Sequence, residues 1–248
     1  MRIISDTEGT SLELMTPTIT ADNLDVRYGD TLALSCVDLT VPAGSSLAVI
    51  GPNGSGKSTL LSALAGITEP AAGSTHVTGP APALVLQSID IDKSLPITVR
   101  DTVSLARYPT LGLFRRFRPV DRDAVDRSLT RMAVDGLAGR QLHALSGGQR
   151  QRVLIAQGLA QNTDVLLLDE PVTGLDVVSR SIILGVIDEE VASGRTVVVT
   201  THNLEDAARC HQVLLLDTAS VAVGPPRDVL TEQHLRRAFG EQFIHGIG

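Results

Sequence analysis

The chain has 248 residues, a formal net charge of −7, 43% hydrophobic residues and only 2% aromatic ones. That length suits one large domain, or one domain with a sizeable insertion, whose core rests on Leu, Val, Ile and Ala. The acidic balance argues against a nucleic-acid partner, and no run of 18 apolar residues is present to span a bilayer.

The opening MRIISDTEGTSLELM lacks the basic start and apolar run of a secretory signal. Residues 1–20, rich in Ser, Thr, Glu and Asp, are expected to form a flexible tail, with residues 21–240 as one domain and 241–248 as a second tail. Cys36 and Cys210 have no metal-ligand spacing, and each is expected to be a buried free thiol in a reducing compartment.

From Asn23, LDVRY, TLALSCVDLTV and SSLAVI read as strands broken by GD and PAG turns. The last feeds GPNGSGKST, after which STLLSALAG continues as a helix ending at Gly66. ALVLQ, from Ala83 to Gln87, is another short strand. The pattern then changes. LPITVRDTVSLARYP predicts a helix opening after Pro96 with Asp101 in its early turns. A second helix is expected from VDRDAVDRSLTRMAVDGL, where Val125, Leu129, Met132 and Ala133 recur at helical spacing. The basic run Arg115 to Arg118 between them is offset by Asp101, Asp121, Asp123 and Asp126.

Residues 89–155 therefore read as a helical section inserted in an α/β chain. DVLLLDE resumes as a strand buried on both faces. Helix VSRSIILGVIDEEVASG, strand RTVVVTTH, helix NLEDAARC, a final strand HQVLLLD and a closing helix TEQHLRRAFG follow. This alternation predicts a mostly parallel sheet covered by helices.

GPNGSGKS fits the pattern GxxxxGK[ST] between an apolar strand and a helix. Gly51, Gly54 and Gly56 let the backbone turn its N–H groups onto a phosphate, with Pro52, Asn53 and Ser55 between them and Thr59 after. Lys57 supplies a point charge for β and γ phosphates, and Ser58 a hydroxyl for Mg²⁺. A plain glycine turn would give Lys57 no reason to stand at a buried helix start. Asp169 and Glu170 end the strand VLLLDE. Adjacent carboxylates repel, so a cation is expected there, held by Asp169 directly or through water. Glu170 is then placed to orient and polarise the attacking water. His202 ends its strand facing the same crevice, suited to the γ phosphate; a satisfied structural histidine is the alternative. A second glycine corner, ALSGGQRQRVLIAQGLA, opens another helix 23 residues before Asp169. It is superfluous if the chain works alone.

With GPNGSGKST, Gln87, LSGGQ (Leu145 to Gln149), VLLLDEP, GLD (Gly174 to Asp176) and His202 in this order, the chain resembles the ATP-binding-cassette ATPases from about Leu24 to Gly240. The resemblance implies a P-loop NTPase core with a mostly parallel sheet, an N-terminal antiparallel β subdomain and an inserted helical subdomain. It implies ATP and Mg²⁺ as ligands, hydrolysis of ATP, and a head-to-tail dimer. In that dimer Ser146, Gly147, Gly148 and Gln149 of one copy complete the nucleotide site over the other's loop. By position, Tyr28 resembles the aromatic stacked on adenine, although ordinary packing is its alternative. Gln87 resembles the residue that touches magnesium and water and links the core to the helical section. Asp176 resembles the residue that carries contact between the two sites. PVTGLD departs mildly from the usual family pattern at Val172.

The LPITVRDTV…ARYPTLG block and the THNLEDAARC segment resemble the branch that energises zinc and manganese importers. The family resemblance then implies an integral membrane permease, an extracytoplasmic metal-binding protein, and a place on the cytoplasmic face of the membrane. Importers of ferric chelates or cobalamin share the RYPTLG element, and a non-transport nucleotide switch is a third reading. Leu105, Tyr108 and Phe114, rimmed by Arg115 and Arg116, are the expected permease contact; internal packing is the alternative.

Overall fold

The computed structural model describes residues 17–87, 96–111 and 116–240. Phe114 and Arg115 of the expected permease contact lie outside them, as does the C-terminal stretch 241–248. The chain opens with two antiparallel strands, β1 (Pro17–Tyr28) and β2 (Thr31–Pro42), joined through Gly29 at φ 58°. Pro17–Thr20 thus belong to a strand rather than to the expected tail. Register shifts accompany Asn23 and Cys36, whose φ values are 51° and 47°. Cys36 is free but exposed, which corrects the expectation of a buried thiol. β4 (Ala72–Val77) pairs with β1 to complete a sheet of order β2-β1-β4.

The second sheet holds β5 (Ala83–Val85), β6 (Val165–Leu168), β7 (Thr196–Thr201), β3 (Ser46–Ile50), β8 (Gln212–Asp217) and β9 (Ala219–Gly224), in that order. All neighbours run parallel except β8 and β9, a hairpin that turns at Thr218 with φ 60°. HQVLLLD is therefore not the last strand. β4 (AGSTHV) and β9 (ASVAVG) lie at sheet edges, partly exposed and built of small or polar residues, so they carry weak apolar alternation.

Period-two alternation divides two cores across the second sheet. Ala48 and Ile50, Leu166 and Leu168, Val197 and Val199 face one. Leu47 and Val49, Val165 and Leu167, and Val198 face the other. The first face is covered by α5 (Gly147–Ala160) and α6 (Val177–Ala192), the second by α1 (Lys57–Leu64) and the first sheet. Each fully buried aliphatic side chain here is worth about 1.5–3 kcal/mol relative to exposure.

Between β5 and β6 lie α2 (Val99–Leu105), α3 (Tyr108–Leu111), α4 (Pro119–Arg131) and α5. Thr98 caps α2 through a reciprocal box with Asp101, and Pro119 opens α4. α4 stops earlier than the spacing predicts: Met132 is its cap, and Ala133 is left-handed at φ 51°. Val125, Leu129 and Met132 are buried as expected. Asp121, one of the four aspartates expected to offset the basic run, is fully buried between Arg107 and Arg118, and Arg107 also donates to the Ala160 carbonyl at 2.9 Å. A second charged joint ties α4 to α6, where Glu190 accepts from Arg131 and, at 2.6 Å, from Arg195. The chain closes with α7 (Leu204–Ala208), α8 (Pro226–Val229) and α9 (Glu232–Phe239). Among the described residues no helix is long and apolar enough to cross a membrane.

Candidate active site

Gly51 follows β3 directly. A Cβ there would stand 2.0 Å from the Leu216 carbonyl oxygen and 2.7 Å from Ser55 Oγ, so no other residue passes this point without moving β8. The loop reverses through Gly54 and Gly56, and Gly56 at φ 96° forms the N-cap of α1. The first-turn amides of α1, at Lys57, Ser58 and Thr59, meet the solvent end of the loop, where the helix carries partial positive charge. Ser58 and Asn53 are exposed, and Pro52 and Thr59 half-buried.

Lys57 folds back over this loop and donates to the carbonyls of Gly51 at 2.9 Å and Pro52 at 3.0 Å. Its side chain is buried yet has no ion-pair partner among the described residues. Burial lowers its pKa, and the negative fields of Glu170 and Asp169 oppose that shift. Ser55 Oγ is buried with no hydrogen-bond partner among the described residues. An unpaired ammonium, a helix N-terminus and an unused hydroxyl around one loop fit a phosphate chain.

The carboxylates stand at the end of β6, beside this loop. Asp169 is held by its backbone N–H on the Val85 carbonyl at 2.8 Å, and its Oδ1 accepts from Thr200 Oγ1 at 2.6 Å. Glu170 is left-handed at φ 45°, and its amide donates to the same Thr200 oxygen at 2.8 Å. Glu170 Oε2 accepts from Gln87 Nε2 at 3.3 Å and lies 3.8 Å from His202 Nδ1. Gln87, Glu170 and His202 thus come from beyond the ends of three neighbouring parallel strands and converge on one carboxylate oxygen. An oxygen donor set of Asp169 and Ser58 beside a phosphate cradle fits a hard divalent cation such as Mg²⁺.

The second glycine corner lies apart. Ser146 caps α5: its Oγ accepts from the Gln149 amide at 3.2 Å, and its own amide donates to Gln149 Oε1 at 3.1 Å. Gly147 is open, whereas a Cβ on Gly148 would lie 2.6 Å from Asp176 Oδ2 and 2.5 Å from Ser179 Oγ. Asp176 in turn caps α6, accepting from the Ser179 amide at 2.9 Å, and that bond leads the contacts that hold its carboxyl below the ordinary range. Two helix starts therefore meet at Asp176. No hydrogen bond or ion pair among the described residues joins Ser146–Gln149 to Gly51–Thr59, Asp169 or Glu170.

Tyr28 ends β1 with 53% of its surface exposed. Leu105 and Tyr108 are exposed on the helical section, Tyr108 tilted over Phe117 with ring centroids 6.1 Å apart. Thr200 is the site residue that sequence reading missed. Its signal was a hydroxyl ending the aliphatic run of β7, two residues before His202. A separate, mainly apolar cavity of about 390 Å³ lies behind Pro171 and Val172 and includes Cys210, a free thiol pushed up to about 11 by burial.

Residues 34–173 match the family profile described as ABC transporter. The manganese transport ATP-binding protein MntB of Bacillus subtilis is 34% identical over 88% of this chain and 91% of its own. A probable siderophore transport ATP-binding protein of the same organism, YusV, is 37% identical over 89% of this chain and 85% of its own. Among solved structures, a metal-chelate type ABC transporter in an inward-facing conformation aligns with a TM-score of 0.82 and 31% identity, over 91% of this chain and 89% of that one. The protein therefore belongs to the ABC transporter family, as one of its ATP-binding and ATP-hydrolysing subunits.

Proposed function

We propose that this subunit hydrolyses ATP to drive import of a divalent transition metal, zinc or manganese, as a head-to-tail pair under a membrane permease on the cytoplasmic face. The convergence of Gln87 and His202 on the Glu170 carboxylate, next to Asp169 and the Lys57 loop, carries the reading of the site. Lys57 leaves the Gly51 and Pro52 carbonyls to meet the β and γ phosphates, and the backbone N–H groups of residues 53–59 wrap them. Ser58, Asp169 and Gln87 hold magnesium, which when bound neutralises charge on the transferring phosphoryl group. Glu170 accepts a hydrogen bond from the attacking water and draws its proton as the oxygen approaches phosphorus. His202 orients the γ phosphate, and Tyr28 stacks on adenine. Ser146, Gly147, Gly148 and Gln149 serve the partner copy's ATP, a reading supported by their separation from the chain's own loop. Asp176, packed against Gly148, connects the two sites.

The metal reading is supported by the manganese transport relative and by the resemblance of the LPITVRDTV and THNLEDAARC segments. The siderophore transport relative, with its higher identity, favours ferric chelates as the second reading. The extracytoplasmic binding protein meets the cargo, and exposed Leu105 and Tyr108 face the permease. The test is reconstitution with the permease and measurement of ATPase stimulation by binding protein loaded with Mn²⁺, Zn²⁺ or a ferric siderophore. Stimulation by Mn²⁺ or Zn²⁺ is expected; stimulation by the ferric complex alone replaces the first reading with the second.

A further inference from the structure

β7 runs Thr-Val-Val-Val-Thr-Thr, and Thr200 is fully buried near its end. A hydroxyl at that depth requires partners, and both of its partners belong to the candidate site. Thr200 Oγ1 lies 2.6 Å from Asp169 Oδ1 and 2.8 Å from the Glu170 amide nitrogen. The directions are set by proton count. The amide has a proton and no lone pair to offer, so it donates; the single hydroxyl proton then goes to the carboxylate. Thr201 takes no part, since its Oγ1 accepts from the Asn203 amide at 3.0 Å.

We propose that Thr200 is a positioning residue for ATP hydrolysis, using one hydroxyl to orient Asp169 and to pin Glu170. Its donated bond occupies Oδ1 and leaves Oδ2 of Asp169 without a protein partner among the described residues, available to a cation. The bond it accepts secures a residue whose backbone is left-handed at φ 45°, a conformation side chains other than glycine seldom adopt. If the Glu170 amide is released, the backbone relaxes toward a commoner region, and the carboxylate leaves Gln87 and His202. Because one oxygen serves both residues, a shift of either carboxylate is felt by the other. This inference rests on Asp169 as the metal-holding carboxylate and Glu170 as the water-orienting one.

The test compares Thr200→Val, which keeps shape and β preference but loses the hydroxyl, with Thr200→Ser, which keeps it. Thr200→Ala carries the same expectation as valine should the valine variant fail to fold, with circular dichroism as the check. The hydroxyl-free variant is expected to lose about 10- to 100-fold in kcat, the range for partners of metal-ligating carboxylates. Its KM for ATP should stay within about twofold, because the phosphate loop is untouched. A second readout needs no turnover: in a Glu170→Gln background, the Mg²⁺ concentration that half-saturates the ATP-induced rise in melting temperature should climb about tenfold without the hydroxyl. Serine should restore both quantities. Parent kcat with parent Mg²⁺ half-saturation in the valine or alanine variant overturns the proposal, and so does a folded serine variant as impaired as valine. Glu170→Gln alone separates the two levels. If it keeps parent turnover, the reading of the site fails; if it loses turnover while Thr200→Val does not, only the role of Thr200 falls.

Discussion

Glu190 is a side chain whose loss should cost the fold heavily for a small change in shape. It is 8% exposed and bonded to Arg195, also 8% exposed, and to Arg131, which is 34% exposed. Glu190→Gln preserves volume but removes the charge between two guanidiniums. Breaking a buried pair by removing one partner costs about 3–5 kcal/mol. The low end applies here, because Arg131 keeps Glu189 at 2.9 Å and some solvent, leaving only Arg195 stranded. About 3 kcal/mol in a chain of this size lowers the melting temperature by roughly 6–12 °C. Glu189→Gln, at a side chain 65% exposed, should cost no more than about 1 kcal/mol. The loss should also depend on pH. Burial alone would raise the Glu190 carboxyl, but the Arg195 and Arg131 guanidiniums outweigh it and hold it below the ordinary glutamate range. A depressed carboxyl contributes its full stability above the unfolded value, about 4.3, and loses it as pH falls through the lower folded value. The gap between parent and Glu190→Gln should therefore be full at neutral pH and close in acid. Calorimetric melts across that range measure it. A neutral-pH melt within about 2 °C of parent would refute the claim that this joint holds the helical section to the core.

Gly51→Ala should cost about 1–3 kcal/mol and weaken ATP binding, because its Cβ would stand 2.0 Å from the Leu216 carbonyl oxygen; melting and fluorescent-nucleotide titration test both. Gly148→Ala pushes the second corner off Asp176 and Ser179, so hydrolysis should fall while the isolated chain binds ATP as before. Glu170→Gln should retain ATP affinity, lose most turnover and accumulate as an ATP-bound dimer on size-exclusion chromatography, since a water-orienting group acts mainly in the transition state.

Sequence patterns carried furthest where one physical demand dominates. The Leu run of β6 has to be buried on both faces, and the glycine loop between β3 and α1 has a single chemical use. Both were legible. Edge strands β4 and β9 were not, because small polar residues at a half-exposed edge carry little period-two signal. The end of α4 also escaped, since Ala133 is a strong helix former that stands left-handed at φ 51°, where its N–H and that of Val134 close the helix on the Thr130 and Leu129 carbonyls. At the site, Asp169, Glu170 and His202 are legible from their positions at strand ends, and Gln87 from the family resemblance alone. Thr200 escaped for a different reason: beyond a hydroxyl closing an aliphatic run, its role is a pair of hydrogen bonds to another strand's end, and such bonds exist only once β6 and β7 pair.

The central claim is that two copies build each hydrolytic site, and mixing two inactive variants tests it most directly. On this claim Ser146→Arg would fill the gap facing the partner's phosphates, and Lys57→Ala removes the loop's charge. In a head-to-tail mixed dimer, one site unites the intact Lys57 of the first chain with the intact Ser146 of the second, and the other site carries both lesions. ATPase activity measured across a titration of one variant into the other is predicted to rise from near zero for either alone to a maximum at equal amounts. A Ser146→Arg chain that hydrolyses ATP at the parent rate by itself would contradict it.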